Sequence, residues 1–342
     1  IFINEVKSFI PAEQYGQSSV LVGTKLYFFG GNRGFTLLSN EVFYLDVSQS
    51  FTSEIPPWVD LTSSAAIPFG SSAAAVSLSG TKDNPNIYLI GGLMNYSSVN
   101  SPKSLLHSFN TQTLKWDIPD IKGKVPKARM LMKAIVYIGG LNIGEINGIK
   151  IVDIAEIYLY DTKSDRWEVM SAKNINKISS RFGHTAILAP DDQIIIYGGH
   201  DISVKYLVEA TPNMAVLNTQ TTPFEWFSPQ VSSKISKVPS LVYHTANLVG
   251  NYMIVAFGNI TQSDQLARPN SNIYIMNIKD FTWVNKFEPN LLSTKKIVIF
   301  AIGGIFGAAL LMGLGIFIYR WYKSRNLLTS GKNISNNNPN NP

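Results

Sequence analysis

Cysteine is absent from the 342 residues. No disulfide framework, cysteine zinc site, iron–sulfur cluster or cysteine nucleophile can therefore form. Charge is scarce, with 15% Asp, Glu, Lys and Arg against about a quarter in ordinary domains. Together with 45% hydrophobic residues, this excludes a solvated, disordered chain. Histidine is limited to His107, His184, His200 and His244. No Gly-x-Ser-x-Gly elbow, phosphate-binding loop, HExxH helix or dinucleotide fingerprint occurs. No acidic residue follows Glu288.

That last absence explains the formal charge of +6. Lys295, Lys296, Arg320, Lys323, Arg325 and Lys332 supply the whole excess, so residues 1–294 are neutral. A neutral globular part gives no electrostatic footprint for nucleic acid. The six cations flank an uncharged apolar run, Ile297 to Tyr319. As a helix the run is roughly 34 Å long, enough to span a bilayer core of about 30 Å. Tyr319, Trp321 and Tyr322 stand at its end, where amphipathic rings favour an interface. Two lysines precede the run and four basic residues follow it, which predicts a cytoplasmic tail. Gly303 and Gly307, spaced i and i+4, would permit a helix–helix homodimer. Residues 320–342 read as a basic, Asn-rich disordered tail.

The other end agrees with this topology. Ile1-Phe2-Ile3 reads as the end of an apolar signal core, and Val6-Lys7-Ser8 as a small-residue cleavage site. Residues 1–8 are thus expected to be a signal remnant, with residues 9–290 outside the cytosol. The expected localisation is single-pass type I, at the cell surface or in the secretory pathway.

Between these ends the chain repeats. Glycine pairs occur at Gly30-Gly31, Gly91-Gly92, Gly139-Gly140 and Gly198-Gly199, with a degraded copy at Gly258-Asn259. Each ends a short apolar strand. A second strand follows and ends in Asp46, Asn110, Asp161, Asn218 or Asn277, and a tryptophan comes next: Trp58, Trp116, Trp167, Trp226 or Trp283. A further strand precedes each pair. Its lead-in reads Tyr15-Gly16-Gln17-Ser18, Phe69-Gly70-Ser71-Ser72, Arg129-Met130-Leu131-Met132, Arg181-Phe182-Gly183-His184 or Leu241-Val242-Tyr243-His244. The units cover about 14–62, 66–120, 127–171, 181–230 and 240–288.

This pattern resembles the kelch repeat of the galactose-oxidase-like superfamily. The resemblance implies an all-β propeller of about five four-stranded blades, with a sixth possible; the apolar run Ile297 to Tyr319 adds the expectation of one C-terminal transmembrane helix. A lone blade cannot bury both faces, so blades must stack around an axis. Glycine permits unusual backbone angles and close approach of the next blade. Tryptophan supplies an apolar plate between blades, Asp or Asn sets the following turn, and His184 and His244 read as structural groups at blade junctions.

The copper-radical chemistry of the galactose-oxidase-like enzymes needs a cysteine cross-linked to tyrosine, and that cofactor cannot form here. No cofactor or metal is expected and no catalytic constellation is recognised, so the chain reads as a binding protein rather than an enzyme. Loops following the glycine pairs and the blade connections share one face. Arg33, Phe35, Met94, Tyr96, Arg129, Asn142, Arg181, His200, Asp201 and Gln262 are the candidate contacts there for a protein or glycan partner. Asn95-Tyr96-Ser97 and Asn259-Ile260-Thr261 are sequons on that face. Asn333-Ile334-Ser335 is a third, expected to be cytoplasmic and unused. Two alternatives compete with an extracytoplasmic binder: a membrane-anchored enzyme with a metal near His200, and a tail-anchored adaptor with a cytosolic propeller.

Overall fold

The computed structural model describes residues 9–34, 37–81, 84–95, 106–119, 136–144, 148–161, 166–201, 208–261 and 268–289. The proposed signal remnant, the apolar run, Gly303, Gly307 and the tail lie outside these residues, as do Phe35, Tyr96, Arg129 and Gln262. Among the described residues the one helix is the four-residue turn Thr62–Ala65, and no helix is long and apolar enough to cross a membrane.

The strands form five antiparallel blades. Blade 1 runs outward through Ser18–Val22, Lys25–Phe29, Val42–Asp46 and Trp58–Asp60. Blade 2 comprises Ala75–Thr81, Asn84–Ile90, Leu106–Asn110 and Lys115–Asp117. Blade 3 shows three described strands, Val136–Ile138, Glu156–Asp161 and Arg166–Ser171. Blade 4 has Thr185–Leu188, Ile194–Tyr197, Met214–Asn218 and Glu225–Phe227. Blade 5 has Thr245–Val249, Tyr252–Ala256, Ile273–Asn277 and Thr282–Val284, plus Ser232–Ser233 pairing in parallel outside.

The second strands show why sequence alternation is weak in this fold. Leu26, Tyr27, Phe28 and Phe29 are all buried, because both faces of the blade are covered. Leu26 and Phe28 join a core with blade 5, while Tyr27 and Phe29 join one with blade 2. Ile194 and Ile196 pack toward blade 3; Ile195 and Tyr197 pack toward blade 5. The period of two survives as a division between neighbours rather than between core and water. These shared cores give the spatial order 3–4–5–1–2. No apolar cluster among the described residues joins blades 2 and 3.

Four of the phased tryptophans pack on the preceding blade, as expected. Trp116 Nε1 donates to the Ala65 carbonyl (2.9 Å) and Trp226 Nε1 to the Ile154 carbonyl (2.9 Å). Trp58 meets Phe257 of blade 5, and Trp283 meets Tyr197 of blade 4. Trp167 departs from the pattern: it is 53% exposed, with its ring edge-on to Tyr137. The polar strand ends behave as turn-setters. Asp46, Asn110, Asn218 and Asn277 each accept a backbone N–H two residues on.

The glycine pairs hold the blades together. The first glycine has positive φ (Gly30 +61°, Gly139 +59°, Gly198 +69°), and the second donates its N–H to the lead-in carbonyl of the following blade. These bonds are Gly31 to Ser71 (2.7 Å), Gly140 to Arg181 (2.8 Å) and Gly199 to Leu241 (2.8 Å). Blade 5 completes the series onto blade 1 with Gly258 to Gln14 (3.1 Å). The register of blade 5 therefore differs from the sequence reading. Gly258 is the second member of its pair, and Phe257, at φ +62°, holds the first position. Blade 2 needs a similar correction. Its lead-in is Ser71-Ser72-Ala73-Ala74, and that of blade 1 is likewise Gln14-Tyr15-Gly16-Gln17, because Ala73 (φ +56°) and Gly16 (φ +69°) take the positive-φ place that Gly183 and Tyr243 take elsewhere.

A latch covers the seam between blades 5 and 1. Lys286–Phe287 pairs with Phe51–Thr52 from the long loop of blade 1. Phe51 and Phe287 stack at 5.0 Å. Nearer the axis, Asn247 Nδ2 donates to Ser19 Oγ at 2.6 Å.

Candidate functional site

Positive-φ residues of the lead-ins bond to one another around the axis. The Ala73 N–H donates to the Gly16 carbonyl (2.6 Å), Gly16 to Tyr243 (2.8 Å), and Tyr243 to Gly183 (2.8 Å). Four blades are thus joined by a backbone chain that narrows the axis at the glycine-pair end. Such bonds fix the side chains that rise from them, since no loop freedom remains.

At these positions or one residue before them, three successive blades carry an aromatic side chain. Tyr15 of blade 1 lies 6.1 Å from Tyr243 of blade 5, and Tyr243 lies 6.3 Å from Phe182 of blade 4. His200 stacks on Phe182 at 5.8 Å. Tyr15 donates its hydroxyl to the Gly34 carbonyl (3.1 Å). Burial raises the pKa of both tyrosines above the ordinary value of 10.0, so the phenols stay neutral donors at physiological pH. The tyrosines are half-buried, whereas Phe182 and His200 are buried beneath them. The result is an uncharged aromatic arc at the mouth of the axis, suited to apolar contact plus a few hydrogen bonds.

The residues expected from sequence to make contacts fall into three groups. Arg181 is fully buried at 0% exposure. Its guanidinium donates to the carbonyls of Ser179 (3.2 Å), Gly198 (3.1 Å) and Pro212 (2.8 Å). Burial pulls its pKa down to about 10, with Asp201 opposing the fall. Arg181 is thus a staple inside blade 4 and presents no charge to a partner. His200 is buried at 6% and its Nδ1 has no partner. Burial lowers its pKa, against a hydrogen bond with the Val208 backbone. Met94 turns toward the core shared by blades 1 and 2.

Arg33 and Asp201 remain partly exposed. Arg33 is ion-paired with Glu41, which also accepts from Gln14 Nε2 (3.2 Å) and Ser39 Oγ (3.3 Å). Asn142 stands in the strand Leu141–Gly144, on the hairpin after its glycine pair. The sequons also divide. Asn95 is exposed, whereas Asn259 is 8% exposed and its Oδ1 lacks a partner.

Two features of this face escaped the sequence reading. Tyr15, Tyr243 and Phe182 stand in the repeat's lead-ins, where the sequence pattern assigns them no role. Leu37 and Leu93 are exposed on adjacent hairpins of blades 1 and 2. Among the described residues no group of three or more His, Asp or Glu could hold a metal.

Blades locked by glycine pairs and phased tryptophans define a kelch-type β-propeller. A family model described as the KLHDC2/KLHL20/DRC7 Kelch-repeats domain matches residues 2–177 and 133–290, and the chain belongs to that kelch-repeat family. Among solved structures, one titled "Structure of YjhT" is similar at 13% identity, with 82% of this chain and 86% of that chain covered and a TM-score of 0.44. No curated protein matches the sequence.

Proposed function

We propose that this chain is a membrane-tethered kelch propeller that grips a protein partner at the mouth of its axis. The observation that carries this reading is the arc of Tyr15, Tyr243 and Phe182 on a hydrogen-bonded backbone chain. Rigid, amphipathic rings lose little entropy on binding, which is why Tyr is enriched at interfaces. Kelch-family membership fits a protein-interaction propeller. The tether rests on the uncharged run Ile297 to Tyr319 and its basic flanks, and the orientation on their asymmetry. On this reading the propeller faces away from the cytoplasm, and exposed Asn95 is the glycan acceptor.

Tyr243→Ala tests the site without threatening the fold, because Ala73 holds the same position at φ +56°. Proximity labelling with full-length chain should lose its specific partner in Tyr243→Ala, with the melting temperature within a few degrees of wild type. An unchanged labelling pattern contradicts the site. Protease protection of sealed vesicles tests the tether. A propeller digested from the cytosolic side contradicts the orientation, and release by alkaline carbonate contradicts the span.

A further inference from the structure

The fourth lead-in position is histidine in blades 4 and 5, Gln17 in blade 1 and Ala74 in blade 2. His184 is wedged between two glycines. Its Cβ lies 3.0 Å from where a Cβ on Gly199 would stand, and its Cε1 3.2 Å from the same point on Gly139 of the preceding blade. The ring is hydrogen-bonded to the Ile138 backbone. Its Nδ1 is sealed from water and has no partner. A second proton on the ring would therefore create a buried N–H with no acceptor.

The surroundings make that proton costlier. Beside it lies Arg181, a buried cation held by three neutral carbonyls. Among the described residues, the charged groups acting on this locus are Arg181 on the same segment and Asp201 on the following hairpin. The preceding blade contributes the backbone of Ile138 and Gly139 and the apolar Ile154. Three other titratable rings among the described residues face the segment: His200 stacks on Phe182, His244 Nε2 bonds Thr185 Oγ1 at 2.8 Å, and Tyr243 approaches Phe182 and Gly183 from blade 5.

We infer that the junction of blades 3 and 4 is an acid-released latch. Protonation of His184 beside Arg181 frees the segment Arg181–His184, pulls Phe182 out of the aromatic arc and discharges the partner. The partner half of this inference rests on the axis mouth being the binding site; the latch itself does not. The sign follows from burial and Arg181, which push the His184 pKa down to about 3 in the folded chain. An unfolded ring takes its proton near 6.5, roughly the unperturbed value. The junction is thus fully stable above about pH 6.5 and loses stability as pH falls toward 3.

Hydrogen exchange of the full chain without any partner reads the latch directly. Between pH 7 and 5, protection of a peptide spanning 179–188 should fall about twentyfold after correction for intrinsic rates, the ratio expected for one such histidine. Peptides from blade 1 should not follow. His184→Gln, the side chain that blade 1 carries at this place, should flatten the fall. Equal protection at both pH values, or an equal fall in His184→Gln, overturns the latch. If His184→Gln does not fold, the pH course in the wild type decides. The fall should set in near pH 6.5 and approach about tenfold per pH unit between pH 6 and 5, and a fall confined to below pH 5 overturns the proposal. Partner release on acidification is measured separately. A latch that opens while the partner stays bound contradicts the axis-mouth site and leaves the latch standing.

Discussion

Gly198→Ala is expected to remove a large share of the propeller's stability. At φ +69° an alanine Cβ would overlap the Leu241 carbonyl oxygen and stand 2.8 Å from His244 Cε1. The carbonyl belongs to backbone that also receives the Gly199 N–H at 2.8 Å, so it cannot retreat without breaking the blade 4–5 bond. Left-handed backbone alone costs an L-residue about 1 to 2 kcal/mol. The clash and the lost bond bring the total to roughly 4 kcal/mol or more, a large share of the 5–15 kcal/mol that typically holds a domain. Gly23→Ala is the control. It has φ +60° but nothing within 4 Å, so it should cost only about 1 kcal/mol. Urea midpoints of the two variants separate close approach from simple backbone freedom. Equal midpoints would mean that the glycine pair serves conformation alone.

Phe257→Ala should be nearly as damaging, at the corresponding position of blade 5. Phe257 is fully buried, with ring centroids 5.4 Å from Phe28 and 5.7 Å from both Phe43 and Trp58. Truncating a buried phenylalanine typically costs 3–5 kcal/mol, and here the cavity opens at the seam. The backbone itself would not object, since Ala73 already sits at positive φ. Phe257→Gly should not rescue stability, although it recreates the glycine of the other blades. The expected signature is a lowered urea midpoint with early exposure of the Gly258 amide. A midpoint within about 0.5 kcal/mol of wild type would mean that the seam does not depend on this ring.

These two residues also show what the sequence could reveal. Gly198-Gly199 was legible because its conformation demands glycine twice. Phe257 was not, because a side chain at positive φ carries no compositional mark, and the eye settles on the nearest glycine, Gly258. Phe69-Gly70 misled in the same way while Ala73 took the strained place. Tryptophan phase was a good guide at Trp58, Trp116, Trp226 and Trp283, and poor at Trp167, whose burial depends on what a neighbouring blade offers.

The binding face was legible as a place and only partly as residues. Loops after the glycine pairs do share a face by topology, but solvent exposure is not a property of residue type. Arg181 looked like a contact, yet three carbonyls from separate turns converge on it. Tyr243 carries no mark in the lead-in Leu241-Val242-Tyr243-His244, yet its ring stands half-open at the axis. Neither fact is local in sequence. Both depend on how the lead-ins of successive blades meet.

Closure of blade 5 onto blade 1 underlies the rest, because it brings Tyr15 beside Tyr243. The lack of native cysteine makes it directly measurable. Thr52 and Lys286 are cross-strand partners separated by most of the chain, and Lys286 is exposed. Thr52→Cys combined with Lys286→Cys should form an intramolecular disulfide under mild oxidation, seen as a monomer whose mobility on a denaturing gel reverts with reductant. Two free thiols, or disulfides only between chains, would contradict the closure and with it the site.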